Sequence, residues 1–295
     1  MPLQTIEKPQ SRKDKEGKKW SKKRKAWTVI IVFLCIPFLI FSGLLVKTYF
    51  DNKAIEDLAG NYQSQKSDGP IRIKKGNAAY DPGEALPSAK QLEKYHNQKG
   101  YLYHRGYMAV PKQKGVTIPI NSIQINEGST DPAMQNKAMA TGAVTAKSRQ
   151  VMGENNFGVA AHSCPDGRKF FSPMQRGIDV NQQPKVYLTD GSKIYIYQLN
   201  KGVDDGVVDA LDTPKQYDDP GKIPGRRVIN MAHGNVIEDD VAKGKSILTM
   251  YTCDEPNRIF NLQPVNRIVM TGQLVDTINF ADASQAEKAL FPQLN

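Results

Sequence analysis

An uncharged run of twenty residues, 27–46, most constrains what this 295-residue chain can fold into. About twenty apolar residues in a helix span the ~30 Å hydrocarbon core of a bilayer. A cleavable signal peptide has a shorter apolar region of about 7–15 residues. Pro37, in the middle of the run, is tolerated in a membrane helix. The run therefore predicts a transmembrane anchor near the N-terminus.

The charges that precede this run predict its orientation. Residues 1–26 hold ten Lys or Arg and three acidic residues, so they supply +7 of the formal net charge of +10. The positive-inside rule places such a tail in the cytoplasm and the chain after Lys47 outside, which predicts a single-pass cell-membrane protein. Because the excess charge lies in a tail beside the membrane, it indicates attraction to anionic lipid, and no nucleic-acid partner is expected.

The rest of the chain divides by composition. Residues 47–100 are polar with one helix-compatible patch at 88–96, which predicts an extracellular stalk with a short helix. Over residues 101–283 short β runs alternate with turn signals, and Asp190-Gly191 predicts a two-residue type I′ hairpin. Many short strands and few helical patterns indicate an all-β domain, closed or nearly closed, that buries one core. Residues 284–295 are predicted to form a C-terminal tail.

Residues 246–275 bring a thiol and a guanidinium together. The run S-I-L-T-M-Y-T-C predicts a buried strand that ends at Cys253, and a second β run, R-I-V-M-T-G, begins at Arg267. If the two runs pair antiparallel, these residues are opposed, with Cα atoms roughly 4.5–5.5 Å apart. A cation favours the thiolate and stabilises a developing oxyanion, so the pairing predicts a nucleophilic cysteine assisted by arginine.

Such a nucleophile also needs a proton shuttle, for which His is the usual residue. Of the four histidines, His162 ends the short apolar run N-F-G-V-A-A-H, as expected for a catalytic His at a strand end. His96 and His104 are interpreted as solvated or packing residues. His233 is kept as an alternative base.

Three segments, in the order His, Cys, Arg, resemble the sortase family. T-M-Y-T-C, ending at Cys253, resembles the family's T-L-x-T-C signature, with Met250 at a position where Leu is usual. This change conserves volume, which a core position tolerates well. V-M-G-E-N-N-F-G-V-A-A-H, ending at His162, resembles the histidine segment, and R-I-V-M-T-G resembles the strand that begins with the arginine. The likeness covers roughly residues 105–280.

The resemblance implies an all-β fold, an eight-stranded sortase-type β-barrel with short helices, and the activity of a membrane-anchored cysteine transpeptidase. Such enzymes cleave a Leu-Pro-x-Thr-Gly sorting signal between Thr and Gly. Cys253 is expected to attack the Thr carbonyl, His162 to shuttle protons and Arg267 to hold the oxyanion. Ala160 and Thr252 are expected to contact the substrate.

The partners implied by the resemblance are exported proteins with such a signal and an amine of a peptidoglycan precursor, so that the proteins become anchored to the cell wall. A single N-terminal anchor resembles class A. The alternatives are a pilin-polymerising sortase and a non-catalytic surface β-domain with a buried Cys253. The connection 198–245 looks extended and is expected to affect substrate selectivity. Arg258, in the loop after Cys253, is a less favoured alternative to Arg267.

No cofactor is predicted. His162, Cys164 and Cys253 offer three zinc ligands without a fourth. Some class A sortases bind Ca²⁺, but the matching region here holds only Glu127 and Asp131, and Ca²⁺ prefers 6–8 oxygen ligands, so little or no calcium dependence is expected. Cys164 departs from the family pattern. It is interpreted as a turn residue, and the alternative is a regulatory disulfide with Cys253, which mass mapping of the oxidised protein would detect.

Overall fold

The computed structural model describes residues 21–62, 87–100, 102–164, 166–209, 217–230, 235–254 and 266–294. The chain has two compact units, Met1–Lys47 and Thr48–Asn295. Helix α1, Lys22–Tyr62, contains the one segment among the described residues that is long and apolar enough to cross a membrane. Its large apolar side chains are mostly exposed. The predicted N-terminal apolar helix is thus confirmed.

Ten strands in the described part of the second unit form one sheet. In chain order they are β1 (His104–Val110), β2 (Ile120–Asn126), β3 (Ala143–Thr145), β4 (Asn156–Ala160), β5 (Lys185–Thr189), β6 (Lys193–Leu199), β7 (Val203–Asp209), β8 (Arg226–Asn230), β9 (Ile247–Cys253) and β10 (Asn266–Asn279). The pairs β2–β3, β4–β9 and β7–β8 are parallel, and the remaining pairs are antiparallel.

Eight of these strands close into a barrel. The order β6-β5-β1-β2-β3-β4-β9-β10 returns to its start because the C-terminal half of β10 pairs with β6. The N-terminal half of β10 pairs with β8 instead, and β7 lies beyond β8. The predicted eight-stranded barrel is therefore confirmed, and β7 and β8, which come from the long connection 198–245, extend it at one side.

The predicted hairpin of β5 and β6 is present, but its turn is longer than two residues. The last paired residues are Thr189 and Ile194. The Asp190 carboxylate accepts hydrogen bonds from the backbone N–H groups of Ser192, at 2.8 Å, and Lys193, at 2.9 Å. The type I′ prediction is wrong because a side chain that caps its own loop competes with the tighter turn.

Alternate residues of the strands point to opposite faces of the barrel wall. Inward-pointing residues of β4, β9 and β10 join the main core: Phe157, Val159, Leu248, Met250, Ile268 and Met270. Met250 is fully buried there, as expected for a replacement of similar volume. Residues next to them along the chain, Ala160, Tyr251 and Val269, belong to a second buried cluster on the outer face of the same strands.

Short helices accompany the barrel: α2 (Ala89–His96), α3 (Pro132–Thr141), α4 (Pro173–Arg176) and α5 (Gln285–Lys288). Ser88 begins α2 with a capping box, in which its side chain accepts from the N–H of Gln91. Ala138 of α3 and Val236 and Ile237 of a 3-10 turn complete the outer cluster. These elements therefore pack against part of the outer face of β4 and β9.

Candidate active site

Cys253 and Arg267 lie opposite each other at one end of the sheet. The register of β9 and β10 opposes Cys253 to Arg267, which confirms the predicted pairing. The N–H of Asp254 donates to the carbonyl of Asn266 at 3.0 Å, so the adjacent pair 253–267 is of the non-hydrogen-bonded kind. Such pairs have Cα atoms about 4.5 Å apart and the closer side chains. Cys253 is partly exposed, whereas Arg267 is 8% exposed.

His162 reaches the same end of the sheet from β4. This strand runs parallel to β9, with Ala160 opposite Tyr251. His162 lies two residues after Ala160, and Cys253 lies two residues after Tyr251, so the two residues are at the same level of the sheet. The N–H of Ala161 donates to the carbonyl of Tyr251 at 3.4 Å, so the pairing extends beyond Ala160. Residues two apart along a strand share a face. The outer face therefore carries imidazole, thiol and guanidinium on three adjacent chain segments.

His162 is half-buried, and its imidazole packs against an aromatic ring. The ring of Phe170 packs edge-on against it, with centroids 6.1 Å apart, and the N–H of Phe171 donates to the His162 carbonyl at 3.1 Å. Phe170 has a φ of 48°, a backbone conformation that bulky residues rarely adopt. Burial, and secondarily the charge of Arg267, lower the pKa of His162 to about 4. The imidazole is thus neutral at pH 7 and able to accept a proton.

This lowered pKa predicts a protein that loses stability in mild acid. The ordinary pKa is 6.5, so below that pH the unfolded chain binds a proton that the folded protein excludes. The stabilisation is complete above pH 6.5 and is lost as the pH falls towards 4, by at most about 3–4 kcal/mol at ~1.4 kcal/mol per pKa unit. We expect the midpoint of thermal unfolding to fall between pH 7 and pH 4.5, and to fall less in His162→Gln. Equal falls in the two proteins would contradict the prediction, since their carboxylates are the same.

The other two residues predicted to bind substrate lie on β4 and β9. Ala160 is 2% exposed and belongs to the outer cluster beside the site. Thr252 is also 2% exposed, and its hydroxyl donates to the carbonyl of Ala161 at 2.8 Å. Thr252 therefore links the strand of the cysteine to the segment of the histidine. Its contact with substrate stays a prediction.

One residue of the site was not predicted from the sequence. Gln175, in α4, donates from Nε2 to the carbonyl of Cys253 at 2.5 Å and to the hydroxyl of Ser163 at 3.3 Å. It is 78 residues away from Cys253 along the chain. Its local sequence, S-P-M-Q-R-G, is that of any short polar helix, so the sequence holds no signal that distinguishes this glutamine.

Cys164 lies in the core rather than at the site. It is fully buried in the main cluster, and its N–H donates to the hydroxyl of Ser172 at 2.6 Å. Each of the three cysteines is present as a thiol. A disulfide with Cys253, on the outer face, would require Cys164 to leave the core, so the packing favours its interpretation as a buried turn residue.

Within the described residues, no three His, Cys, Asp or Glu side chains are grouped so that they could hold a metal ion. Glu127 forms an ion pair with Arg105, 3.3 Å between Oε2 and Nε, and accepts a hydrogen bond from the N–H of Arg149. Asp131 accepts from the N–H of Ala133 at 2.9 Å and thereby caps α3. Both carboxylates named for calcium thus have other contacts. Arg258 and His233 lie outside the described residues.

Comparison with known proteins decides the family. The family model of the sortase domain matches residues 108–275, more than half of the chain. The chain belongs to the sortase family. This sortase is 27% identical over 274 residues to sortase A of Streptococcus agalactiae serotype III (strain NEM316), with 88% of each chain covered. It is 24% identical over 274 residues to sortase A of Listeria monocytogenes serovar 1/2a, with 90% of this chain and 97% of that protein covered.

Two solved sortase structures match this chain at low identity. The crystal structure of Listeria monocytogenes sortase A has 21% identity and a TM-score of 0.44, and covers 64% of this chain and 96% of its own. Sortase C-3 from Streptococcus pneumoniae has 14% identity and a TM-score of 0.41, and covers 84% of this chain and 91% of its own. Family membership and the two sortase A relatives make the protein a sortase-type cysteine transpeptidase, and its apolar helix α1 agrees with membrane anchoring.

Proposed function

We propose that this sortase cleaves Leu-Pro-x-Thr-Gly signals between Thr and Gly and joins the Thr to an amine of a peptidoglycan precursor. Exported proteins would thereby become anchored to the cell wall. The observation that supports this most strongly is the register that gathers His162, Cys253 and Arg267 at one end of the sheet. Cys253 is partly exposed, whereas a non-catalytic β-domain is expected to bury this residue.

The reaction begins with attack of the Cys253 sulfur on the Thr carbonyl carbon. The thiol proton passes to the neutral imidazole of His162, and the carbonyl oxygen becomes an oxyanion. The guanidinium of Arg267 stabilises this charge without giving up a proton of its own. The lowered pKa of His162 keeps the imidazole unprotonated, and so ready for this step, at pH 7.

Release of the leaving peptide and entry of the acceptor use the same groups in reverse order. The imidazolium of His162 donates its proton to the Gly nitrogen as the Thr–Gly bond breaks, which leaves a thioester on Cys253. The incoming amine loses a proton to His162 and attacks the thioester carbon. The new amide bond forms, and the proton returns from His162 to the Cys253 sulfur. Water is the slower alternative acceptor.

Substrate selectivity is proposed to depend on the outer cluster and the long connection. Ala160, Tyr251 and Val269 lie on the outer face beside the site, and Val236 and Ile237 of the connection pack with them. An extended peptide that reaches Cys253 along this face would contact Ala160 and the side chains of the connection.

We further propose class A and an extracellular site. Helix α1, the one membrane-length apolar helix among the described residues, resembles the anchor of the general-purpose class A enzymes. The basic residues 22–25 that open it favour a cytoplasmic N-terminus. Calcium is proposed to have little effect, because Glu127 is paired with Arg105 and Asp131 caps a helix.

The test is cleavage of a quenched Leu-Pro-x-Thr-Gly peptide by the full chain in detergent micelles, with and without triglycine. We expect turnover, diversion to a Thr–triglycine product when the acceptor is present, and rates unchanged within about twofold by calcium or a chelator. Ligation to a Lys-bearing pilin peptide in preference to triglycine would instead favour the pilin polymerase. A folded protein that cleaves none of a panel of sorting peptides would overturn the proposal.

A further inference from the structure

We propose that Gln175 is a positioning residue of the transpeptidase, whose side-chain amide holds the main chain of Cys253 against the segment that carries His162. The inference rests on the proposed function, because it assigns Gln175 to the same reaction. The side-chain amide of Gln175 donates to the carbonyl of Cys253 and to the hydroxyl of Ser163. Its effect on catalysis would pass through the backbone of Cys253.

The carbonyl of Cys253 points towards the histidine segment. Because the pair 253–267 is non-hydrogen-bonded, the backbone groups of Cys253 face away from β10 and towards β4. The last backbone hydrogen bond between β4 and β9 runs from the N–H of Ala161 to the carbonyl of Tyr251. If the pairing continued, the next such bond would run from the N–H of Ser163 to the carbonyl of Cys253.

At that point the histidine segment leaves the ladder. Ser163 pairs with Phe170, across the loop that follows His162. The amide of Gln175 occupies the position of the next rung and donates to the Cys253 carbonyl at 2.5 Å. A side chain therefore replaces the backbone donor that a longer β4 would supply.

The chemistry of this contact defines which end of the amide faces the site. A carbonyl oxygen only accepts hydrogen bonds, so Gln175 must present Nε2 rather than Oε1 to Cys253. The same NH₂ group donates to the hydroxyl of Ser163 at 3.3 Å. One amide group thus joins the residue after His162 to the nucleophilic residue itself.

Helix α4 holds Gln175 in a defined position. The preceding residue, Met174, is fully buried in the main core. After it, the N–H of Gly177 donates to the Pro173 carbonyl at 2.6 Å, and the Gly177 carbonyl accepts from the N–H of Thr117 at 2.9 Å. With its backbone anchored on both sides, Gln175 loses less conformational entropy when it binds Cys253.

Two consequences for catalysis follow. A fixed carbonyl sets the direction of the Cα–Cβ bond of Cys253 and therefore the position of its sulfur relative to His162. A displacement of a reacting atom by about 1 Å can lower the rate about 10²-fold. Hydrogen-bond donation also offsets the partial negative charge of the carbonyl beside the sulfur, which favours the thiolate.

The test uses the full chain in detergent micelles, with Cys35→Ala as the common background so that Cys253 is the accessible thiol. Gln175→Leu removes the amide, and Gln175→Glu keeps its size but replaces the donor by an acceptor. We expect kcat for peptide cleavage to fall about 10–100-fold in both, with KM within about twofold. We also expect the pH midpoint for alkylation of Cys253 by iodoacetamide to move upward, most in Gln175→Glu.

Gln113→Leu is the matched control. The Gln113 side chain also ties down backbone, donating to the Lys185 carbonyl at 2.8 Å and accepting from the Lys185 N–H at 2.9 Å, but it binds β5. This control should keep the kcat and the alkylation midpoint of the background protein. The proposal would be overturned if both Gln175 variants kept the kcat and alkylation midpoint of the background protein. It would also be overturned if they lost no more kcat than the control, or if only KM rose. If the background protein cleaves no sorting peptide, the proposed function fails, and the alkylation midpoints still decide the role of Gln175.

Discussion

Cys253→Ala is expected to abolish peptide cleavage, with kcat reduced by at least about 10⁴-fold, the order seen when a covalent nucleophile is removed. The reason is that neither His162 nor Arg267 can form the thioester; they act only on a reaction that the sulfur begins. The measurement is turnover of the Leu-Pro-x-Thr-Gly peptide, together with mass spectrometry of the protein. The parent chain should carry the acyl adduct in the absence of acceptor, and the variant should carry none.

Cys164→Ala is the matched control for this prediction, because it removes the same side chain from a position two residues after His162. Cys164 is fully buried in the main core, so its truncation should lower the free energy of unfolding by about 1–2 kcal/mol. Its kcat should stay within about threefold of the parent. Retained cleavage in Cys253→Ala, or complete loss in a folded Cys164→Ala protein, would refute the assignment of the nucleophile.

Arg267→Gln is expected to lower kcat by about 10²–10³-fold, the usual effect of removing a donor to an oxyanion. The neutral amide can still form one hydrogen bond, but it brings no positive charge to the tetrahedral intermediate. Because the charge of Arg267 also contributes to the lowered pKa of His162, its removal should raise that pKa. The acid limb of the pH–rate profile should then move to higher pH. Both effects are measured from peptide cleavage between pH 4 and pH 9.

Arg105→Gln is the comparison for this variant. Arg105 pairs with the buried Glu127, away from the three converging residues, so its loss leaves a buried carboxylate without its ion-pair partner. This variant should lose stability and keep both its kcat and its acid limb. If Arg267→Gln behaves in the same way, Arg267 has a structural role, and Arg258 becomes the candidate for the oxyanion.

The strand ends that carry the three reactive groups were predictable because the information is local. An uninterrupted run of β-branched, aromatic and aliphatic residues up to Cys253 indicates a buried strand, and a second such run from Arg267 pairs with it. His162 follows the same pattern. The uncharged run 27–46 predicts its apolar helix from composition alone. In each case a few neighbouring residues decide the outcome, since alternation and hydropathy act over a single strand or helix.

The remaining features depend on contacts between distant parts of the chain. The carboxylate of Asp190 widens a turn that dipeptide preference predicts to be tight. Cys164 lies in the core, and Gln175 binds the carbonyl of Cys253. Both follow from the way the chain folds back after His162, where Ser163 pairs with Phe170 and α4 comes next to the end of β9. The sequence by itself determined the strands, the apolar helix and the three reactive residue types. The tertiary structure alone decided which polar side chains support them, because a hydrogen bond depends on distance and direction in space rather than on separation along the chain.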